Sequence, residues 1–295
     1  MTTETAEGLL LVDKPAGPTS HDVVDLARRA LGTRRIGHTG TLDPFATGLL
    51  ILLAGRVTRL AEYSSGLTKQ YEARLRLGTS TDSDDATGSV ISRSDAWREL
   101  DPQRVRTALE AHVGDRLQQP PAFSAKKVGG RRSYEATRRG ESVSLAPSPV
   151  RIDALVVTAV ALPDVCFEIT CSAGTYIRAV ARDTGIALGV PAHLASLRRT
   201  AIGPFRVEEA IRLADVTRER ARAALQPALA ALPHLPDLDI EPRDARVLMQ
   251  GGRVPLPSGT GPTGGLAAIT SGHRLLAVAE IRDGWIVPRK VLADG

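Results

Sequence analysis

Residues 35–50 carry the sequence Arg-Ile-Gly-His-Thr-Gly-Thr-Leu-Asp-Pro-Phe-Ala-Thr-Gly-Leu-Leu, which mixes chain-breaking residues with polar ones. Its three glycines and Pro44 interrupt helix and strand, so most of the stretch is predicted to be loop. An apolar run follows, from Leu49 to Leu53, and a run this short, ended by Gly55, predicts a strand buried on both faces. A polar loop is therefore predicted to be anchored to a rigid core strand, as functional loops commonly are.

The same loop also has an ordinary structural interpretation. Asp43 precedes Pro44 in a glycine-rich turn, where an aspartate can hydrogen-bond its own backbone. The residue pattern alone leaves both interpretations open.

The whole chain has the composition of a folded protein. It has 295 residues, 42% of them hydrophobic and 24% charged, which suits one large domain or a large domain plus a small one. No apolar run approaches the ~18 residues that a membrane span needs. The N-terminus is polar and acidic, unlike a secretory signal, so a cytoplasmic location is expected.

Charge and cysteines restrict the function further. The net charge of +5 is compatible with a polyanionic partner but does not establish one. Cys166 and Cys171 lie an odd number of residues apart in one predicted strand, so they face opposite sides and cannot bond to each other. No Cys/His cluster suggests zinc. The acidic stretch from Asp82 to Gly88 fails the calcium-loop pattern, because Thr87 and Arg93 stand at its sixth and twelfth positions; an inter-strand turn is predicted instead.

Periodicity and capping residues predict the remaining elements. Strands are predicted at residues 9–12, 71–77, 150–162, 165–171 and, in several pieces, 266–291. Helices are predicted at residues 20–31, 56–65, 101–113, 175–185 and 243–250. Thr175 would cap the fourth helix, which would place Arg178 in its first turn. A cation there opposes the helix dipole, which suggests an anionic partner elsewhere in the fold.

Two later segments differ from the rest in composition. Residues 120–145 carry six Lys or Arg against two Glu, with aromatic residues and glycines between them. This mixture suits phosphate contact with base stacking, although a solvated charged hairpin is the simpler alternative. From Gln226 onwards closely spaced prolines predict a linker.

Several motifs closely resemble the TruB family of pseudouridine synthases, which convert the T-loop uridine of tRNA, conventionally numbered 55, to pseudouridine. Residues 37–48, Gly-His-Thr-Gly-Thr-Leu-Asp-Pro-Phe-Ala-Thr-Gly, are similar to the family's catalytic loop. Further similarities are strong across residues 8–215 and weaker beyond; they comprise Lys14-Pro-Ala-Gly-Pro-Thr-Ser20, Lys69-Gln-Tyr71, the insertion around Ser124 to Tyr134, Gly174-Thr-Tyr-Ile-Arg178 and Leu194 to Phe205.

The resemblance implies roles for individual residues. Asp43 would be the essential carboxylate, acting either as nucleophile or as the base that removes a sugar proton. Arg178 would pair with Asp43 and keep it ionised, since a nearby cation lowers a carboxylate's pKa. Tyr71 would stack on the uracil and help move the C5 proton. Tyr176 and Leu197 would shape the base pocket.

The resemblance also implies how RNA is held. His38 would fill the gap left by the extruded nucleotides. Lys127, Arg131 and Arg132 would contact RNA from the basic insertion, the family's thumb. Lys14 would be a further RNA contact, with a solvated turn lysine as the alternative.

The resemblance further implies an α+β fold. A catalytic domain at residues 1–230, with its thumb at about 120–145, is expected on a mixed, largely antiparallel sheet (the pseudouridine synthase fold). A small β-rich, PUA-like RNA-binding domain is expected at 238–295. The reaction is an isomerisation, so no cofactor or metal is expected. The expected partner is the T stem-loop of tRNA, bound by a monomer that needs no protein partner.

Two alternatives to a protein-only tRNA enzyme stay open. The first is an RNA-guided pseudouridylase that acts on ribosomal RNA. The second is a non-catalytic RNA-binding or tRNA-folding protein.

Overall fold

A computed structural model describes residues 6–121, 127–128, 131–132, 146–257, 262 and 264–292. The strands are β1 Gly8–Lys14, β2 Ile36–His38, β3 Thr47–Ala54, β4 Lys69–Leu77, β5 Thr79–Thr81, β6 Val90–Arg93, β7 Gly114–Gln118, β8 Lys127–Val128, β9 Arg131–Arg132, β10 Ser148–Ala161, β11 Asp164–Cys171, β12 Ala192–Ile202, β13 Phe205–Arg206, β14 Ile211–Arg212, β15 Asp237–Asp239, β16 Val254–Pro255, β17 Gly265–Ser271, β18 Arg274–Arg282 and β19 Trp285–Val291. The α-helices are α1 Ser20–Leu31, α2 Ala61–Ser64, α3 Pro102–Glu110, α4 Ile177–Leu188, α5 Arg218–Ala223 and α6 Pro242–Met249. Single 3₁₀ turns lie at Gly55–Leu60, Ala96–Glu99, Val207–Glu209, Leu213–Asp215 and Ala228–Ala231.

The larger sheet is mixed and largely antiparallel, which confirms the predicted fold class. Its order is β14-β1-β3-β12-β4-β11-β10-β7, with β2 paired to β3 and β13 paired to β12. Only the β1–β14 and β3–β12 pairs among its described strands are parallel. The parallel contact between β3 and β12 sets Arg199 opposite Gly48. This contact lies where the loop at residues 37–48 enters the sheet.

Strand β3 is buried on both faces, as its uninterrupted apolar run predicts. Leu50 and Leu52 pack in one core cluster with Val23 of helix α1. Leu49, Ile51 and Leu53 face the opposite side and pack in a second cluster. Because both faces are covered, the loop before β3 starts from a rigid base.

The second sheet has five strands in the order β15-β17-β18-β19-β16 and confirms a β-rich C-terminal part. Its Leu275 and Val278 belong to the same core cluster as Leu11 and Ile51 of the larger sheet. The predicted linker after Gln226 is wrong as a free spacer. Gln226 exchanges backbone hydrogen bonds of 3.0 and 2.8 Å with Leu9, and Ala231 and Leu232 are buried. The prolines break helix and strand there, but the apolar residues between them still pack.

Helix caps agree with the sequence in α1 and disagree in α4. Thr19 caps α1 and Gly32 ends it with a left-handed backbone. Helix α4 instead begins after Tyr176 and ends at Gly189, four residues beyond the predicted Gly185. The Thr175 hydroxyl lies 3.4 Å from that of Ser172 and does not cap the helix. Gly185 lies inside α4. A residue without a side chain is needed there because a Cβ would lie 2.6 Å from Ala192 Cβ and 2.7 Å from the Val190 carbonyl oxygen.

Two further predictions concern the cysteines and the basic insertion. Cys171 is buried and Cys166 half-buried, and both are free thiols, as the odd spacing predicts. Strands β8 and β9 of the insertion pair as a short hairpin. The side chains of Lys127, Arg131 and Arg132, and most other residues of 120–145, lie outside the described part of the structure.

None of the helices in the described ranges combines the length and apolar character that crossing a membrane requires.

Candidate active site

A cavity of about 300 Å³ lies where the loop before β3, strands β4 and β12, and the start of α4 converge. Five of the residues predicted for the site line it: Asp43, Tyr71, Tyr176, Arg178 and Leu197. They come from four separate segments of the sequence, so the sheet topology brings them together. A concave pocket with a few convergent polar groups is the usual form of a small-ligand or base-binding site.

The Asp43 carboxylate is held by Arg178 in a two-point ion pair. Arg178 Nε lies 2.9 Å from Asp43 Oδ2, and Arg178 Nη2 donates to Oδ1 at 3.1 Å. The Arg178 side chain is 5% exposed and that of Asp43 33%. The turn is made by the Asp43 backbone, whose carbonyl accepts from the Ala46 amide at 3.1 Å. The turn therefore leaves the carboxylate to face the cavity and Arg178.

Arg178 is itself fixed by the acidic turn between β5 and β6. Its Nη1 donates to the Ser83 carbonyl at 2.9 Å and lies 3.6 Å from Asp85 Oδ2. The other Asp85 oxygen accepts from Thr87. Sequence reasoning predicted this turn but missed its role. The available signal was an excess of acidic residues in one turn and a cation, Arg178, whose position in the first turn of a helix calls for anionic partners.

The pKa of Asp43 lies above its ordinary value, although Arg178 lowers it as expected. Burial is the largest influence and raises the pKa, Arg178 lowers it, and the negative charge of Asp85 raises it again. Burial prevails because a carboxylate loses hydration on entering the cavity wall. A raised pKa makes the carboxylate a stronger base, and the ion pair fixes its direction.

Arg199 of β12 fastens the loop from inside the sheet, and sequence reasoning missed it. It is 1% exposed. Its Nε donates to the Leu49 carbonyl at 2.7 Å, and its terminal nitrogens donate to Gly40 at 3.1 Å and Thr41 at 3.3 Å. Two carbonyls of the loop and one of strand β3 therefore converge on a single guanidinium. The signal was the Arg198-Arg199 pair, because alternation in a strand must turn one of two neighbours inward.

Gly48 permits the close contact that brings Arg199 to the loop. Its φ is +103°, and a Cβ there would lie 2.2 Å from the Arg199 carbonyl oxygen. Only a residue without a side chain fits this backbone and this spacing.

Lys14 is buried, which corrects the prediction of an RNA contact. It is 0% exposed, and its ammonium donates to the carbonyls of Pro15, Pro18 and Pro44 at 3.0, 2.9 and 3.3 Å. Burial lowers the pKa of Lys14 to about 8. The solvated-lysine alternative is wrong for the same reason. Lys14 ties the first motif to the loop that carries Asp43.

Ser20 reinforces this connection. Its hydroxyl donates to the Leu42 carbonyl at 3.1 Å and accepts from the Leu42 amide at 2.8 Å. Leu42 immediately precedes Asp43. The first motif is therefore a support for the loop.

The two remaining pocket-wall residues from the sheet, Tyr71 and Leu197, lie diagonally across two neighbouring strands. Tyr71 of β4 pairs in register with Arg199, and Leu197 of β12 pairs with Ala73. Burial raises the pKa of Tyr71, and the positive charge of Arg199 opposes that rise. Tyr71 is thus a neutral aromatic ring in the cavity wall.

His38 lies apart from the cavity lining. It ends strand β2, opposite Leu52, and is half-buried. Its predicted role beside extruded nucleotides stays a prediction.

A second buried lysine, Lys69, lines the cavity. Its ammonium donates to the Ser65 and Leu67 carbonyls at 2.6 and 2.5 Å. Burial lowers its pKa to about 8. With Arg178 and Arg199 also in the lining, the cations there outnumber the one carboxylate, Asp43. This excess of positive charge suits a ligand that carries negative charge.

Comparison with known proteins agrees with this arrangement. Residues 28–177 match the family described as "TruB family pseudouridylate synthase (N terminal domain)". Residues 178–233 match "tRNA pseudouridylate synthase B C-terminal domain". The chain is 43% identical to a Thermobifida fusca protein named tRNA pseudouridine synthase B, over 98% of this chain and 99% of that protein. A protein of the same name from Corynebacterium jeikeium is 49% identical over 69% of this chain and 68% of its own length.

Two solved structures resemble the fold over nearly the whole chain. A Cbf5-Nop10-Gar1 complex gives a TM-score of 0.73 at 27% identity, over 98% of this chain and 86% of the other. The archaeal box H/ACA sRNP Nop10-Cbf5 complex gives 0.72 at 26% identity, over 98% and 87%. The family matches, the full-length similarity and the cavity together lead to one conclusion. This chain belongs to the TruB family of pseudouridylate synthases and is an isomerase.

Proposed function

We propose that this enzyme converts uridine 55 in the T loop of tRNA to pseudouridine, with Asp43 as the essential carboxylate. The observation that carries the proposal is the two-point ion pair between Asp43 and Arg178 in the wall of a cavity about 300 Å³ in volume. The tRNA substrate is supported by the names of relatives that are similar over almost the entire chain.

The reaction breaks the N1–C1′ bond of uridine and forms a C5–C1′ bond. The C5 proton leaves and N1 gains a proton, so no atom is oxidised. The base must first leave the T-loop stack, which costs a few kcal/mol and is offset by contacts in the pocket. Tyr71 and Leu197 supply the apolar wall against which a flipped uracil would pack.

Asp43 can serve either as nucleophile or as the base that takes a sugar proton. Both roles require the ionised carboxylate, and both gain from basicity. Arg178 holds both carboxylate oxygens and so limits the directions from which Asp43 can approach the sugar. The buried Arg199 and Lys69 add positive charge beside the space for the base. Such charge stabilises a uracil that becomes negative as its glycosidic bond breaks.

RNA binding extends beyond the cavity in this proposal. We assign residues 1–230 to the catalytic domain and 238–295 to an RNA-binding domain, with the basic thumb at 120–145. The thumb side chains Lys127, Arg131 and Arg132 would neutralise tRNA phosphates. The enzyme would act as a monomer in the cytoplasm.

RNA-guided modification of ribosomal RNA is the second candidate function. It is favoured by the resemblance to Cbf5 structures, which were solved in complexes with Nop10 and Gar1. The two functions differ in what the isolated chain can do. A guide-dependent enzyme is inactive alone, whereas a tRNA enzyme needs only its substrate.

The test is tritium release from tRNA labelled at uridine C5. Purified protein is incubated with a labelled transcript, without guide RNA, partner protein or added cofactor, and with an otherwise identical transcript carrying cytidine at position 55. We expect release to approach one tritium per tRNA with the first transcript and none above background with the second. Equal release from both would contradict position 55. No release from either, with folded protein and intact tRNA, would contradict the proposed function.

A further inference from the structure

Gln118, the last residue of β7, forms hydrogen bonds to the backbone of Tyr176, the residue that precedes helix α4. Its side-chain Oε1 accepts from the Tyr176 amide at 2.8 Å. Its Nε2 donates to the Tyr176 carbonyl at 3.0 Å. Gln118 is 3% exposed, although its neighbours Leu117 and Gln119 are exposed. One buried amide therefore satisfies both backbone groups of one residue, across 58 positions in the sequence.

Helix α4 begins without the usual aids to helix initiation. Its N-cap residue, Tyr176, makes no side-chain cap hydrogen bond, and its first turn contains no acidic residue. Arg178 stands in that turn, where a cation is disfavoured by the helix dipole. The start of α4 is therefore not fixed by local sequence, and Gln118 supplies a constraint from another strand.

Tyr176 lies close to the residues that are proposed to carry out the reaction. Tyr176 lines the cavity, and Arg178, two residues later, holds both oxygens of Asp43. A displacement of the Tyr176 backbone would shift the tyrosine ring and the root of the Arg178 side chain together. Misplacement by about 1 Å in an active site can cost ~100-fold in rate.

We propose that Gln118 is a positioning residue for the isomerisation: it sets Tyr176 and Arg178 against Asp43 without touching the substrate. This inference rests on the proposed function of the cavity. Glutamine suits the role because an amide offers a donor and an acceptor at once. An ionised glutamate can only accept, and a methionine of similar length offers neither.

The first experiment compares Gln118→Met with the parent under single-turnover conditions, with enzyme in excess over labelled tRNA. We expect the tritium-release rate to fall about tenfold to 100-fold. We expect the Kd for tRNA to change less than about twofold, because phosphate contacts supply most of the affinity. The matched control is Gln103→Met, since Gln103 is exposed on α3, and it should keep the parent rate.

The second experiment uses Gln118→Glu, and it applies equally if the methionine variant does not fold. A protonated glutamate has a donor and an acceptor, as glutamine has, and burial favours its protonated form. The ratio of the variant's rate to the parent's rate should therefore rise as the pH falls from about 8.5 to about 6. Gln103→Glu provides the control, with a ratio that stays near one.

The outcomes separate the two proposals. Tritium release by the parent together with a parent-like rate for Gln118→Met overturns the positioning role alone. A loss confined to tRNA affinity, or a Gln118→Glu ratio that does not change with pH, overturns it as well. An inactive parent overturns the proposed function and this inference with it.

Discussion

Asp43 combines two roles that sequence reasoning had set against each other. Its backbone closes the turn to Ala46, while its side chain is bound by Arg178. The two roles use different atoms, so neither excludes the other. Substitution can therefore separate them, because asparagine keeps the turn and loses the charge.

We predict that Asp43→Asn abolishes turnover while tRNA binding survives. The amide has no charge and almost no basicity, so neither proposed role of Asp43 is possible. Stability at neutral pH should change by less than about 1 kcal/mol, because burial already disfavours the charged carboxylate in the folded state and Asp85 stays near Arg178. Tritium release, filter binding and urea unfolding measure the three quantities. Release near the parent rate, with deamidation excluded by mass spectrometry, would refute the assignment.

We predict that activity declines in acid with a midpoint above pH 3.8, the ordinary pKa of an aspartate. The pKa of Asp43 is raised, so the carboxylate gains a proton, and activity declines, at a higher pH than for an exposed aspartate. The rate therefore falls as the pH falls through that raised pKa. Single-turnover rates measured from about pH 4 to about pH 8 give the midpoint of this decline.

Asp85→Asn tests the contribution of Asp85 to the raised pKa of Asp43. It removes a negative charge that raises the pKa of Asp43, so the acid limb should move to lower pH. An unchanged or higher midpoint in this variant would contradict the electrostatic account.

At the scale of elements, the parallel contact between β3 and β12 holds the loop that carries Asp43. Gly48 faces Arg199 across this contact. The Arg199 guanidinium donates to two carbonyls of the loop and to one of β3. Lys14 secures the other side of the loop through Pro44. The loop is thus fixed by two buried cations from two different strands.

We predict that Gly48→Ala destabilises the protein by about 2 to 5 kcal/mol. A positive φ costs roughly 1 to 2 kcal/mol for alanine, and crowding of the Arg199 backbone adds about 1 to 3. The control is Gly114→Ala, at φ +110° with no atom within 4 Å of the added Cβ. Gly114→Ala should therefore lose only the part of the stability that comes from the positive φ. Equal losses for the two variants in urea unfolding would mean that β3 and β12 can separate without penalty.

At the scale of the whole molecule, the two sheets share a core cluster and also polar contacts. Arg59 donates to the Val291 carbonyl at 2.7 Å, and Lys290 pairs with Glu62 at 2.7 Å. The five-stranded sheet is therefore packed against the larger one. Its removal should uncover part of the shared core.

We predict that a protein ending at Pro236 has a lower thermal midpoint than the full chain and binds tRNA less tightly, yet keeps measurable turnover. It loses the shared contacts of Leu275 and Val278 but retains every residue that lines the cavity around Asp43. Calorimetry, filter binding and tritium release test these points. A truncated protein that is folded and inert would show that the second sheet completes the site.

We predict that replacing Lys127, Arg131 and Arg132 together by alanine flattens the salt dependence of tRNA binding. Each lost phosphate contact removes roughly 0.7 to 0.9 of the logarithmic slope, so three contacts would remove about 2 to 3. Binding is measured as Kd against salt concentration.

The control for this triple variant removes the same charge elsewhere. Arg93, Arg104 and Arg218 are exposed outside the thumb, and their joint replacement by alanine should change the slope less. Equal slopes for the two triple variants would mean that net charge, and not the thumb, governs binding.

The sequence by itself determined the features that depend on neighbouring residues. The burial of β3, the caps of α1, the alternation of β4 and the turn at Asp82 to Gly88 all follow from short-range periodicity and backbone preference. The motifs also indicated Asp43, Tyr71, Tyr176, Arg178 and Leu197, all of which line one cavity.

Only the tertiary structure decided which distant groups meet. Lys14 looks like a solvated turn lysine until the loop closes over it, and Gly185 looks like a helix end until β12 is seen against α4. Arg199 and Gln118 find their backbone partners through strand register and sheet order, between positions 58 to 159 residues apart. Hydrogen bonds of this kind leave no periodic trace in the sequence, because their geometry is set by packing and not by the residues beside them.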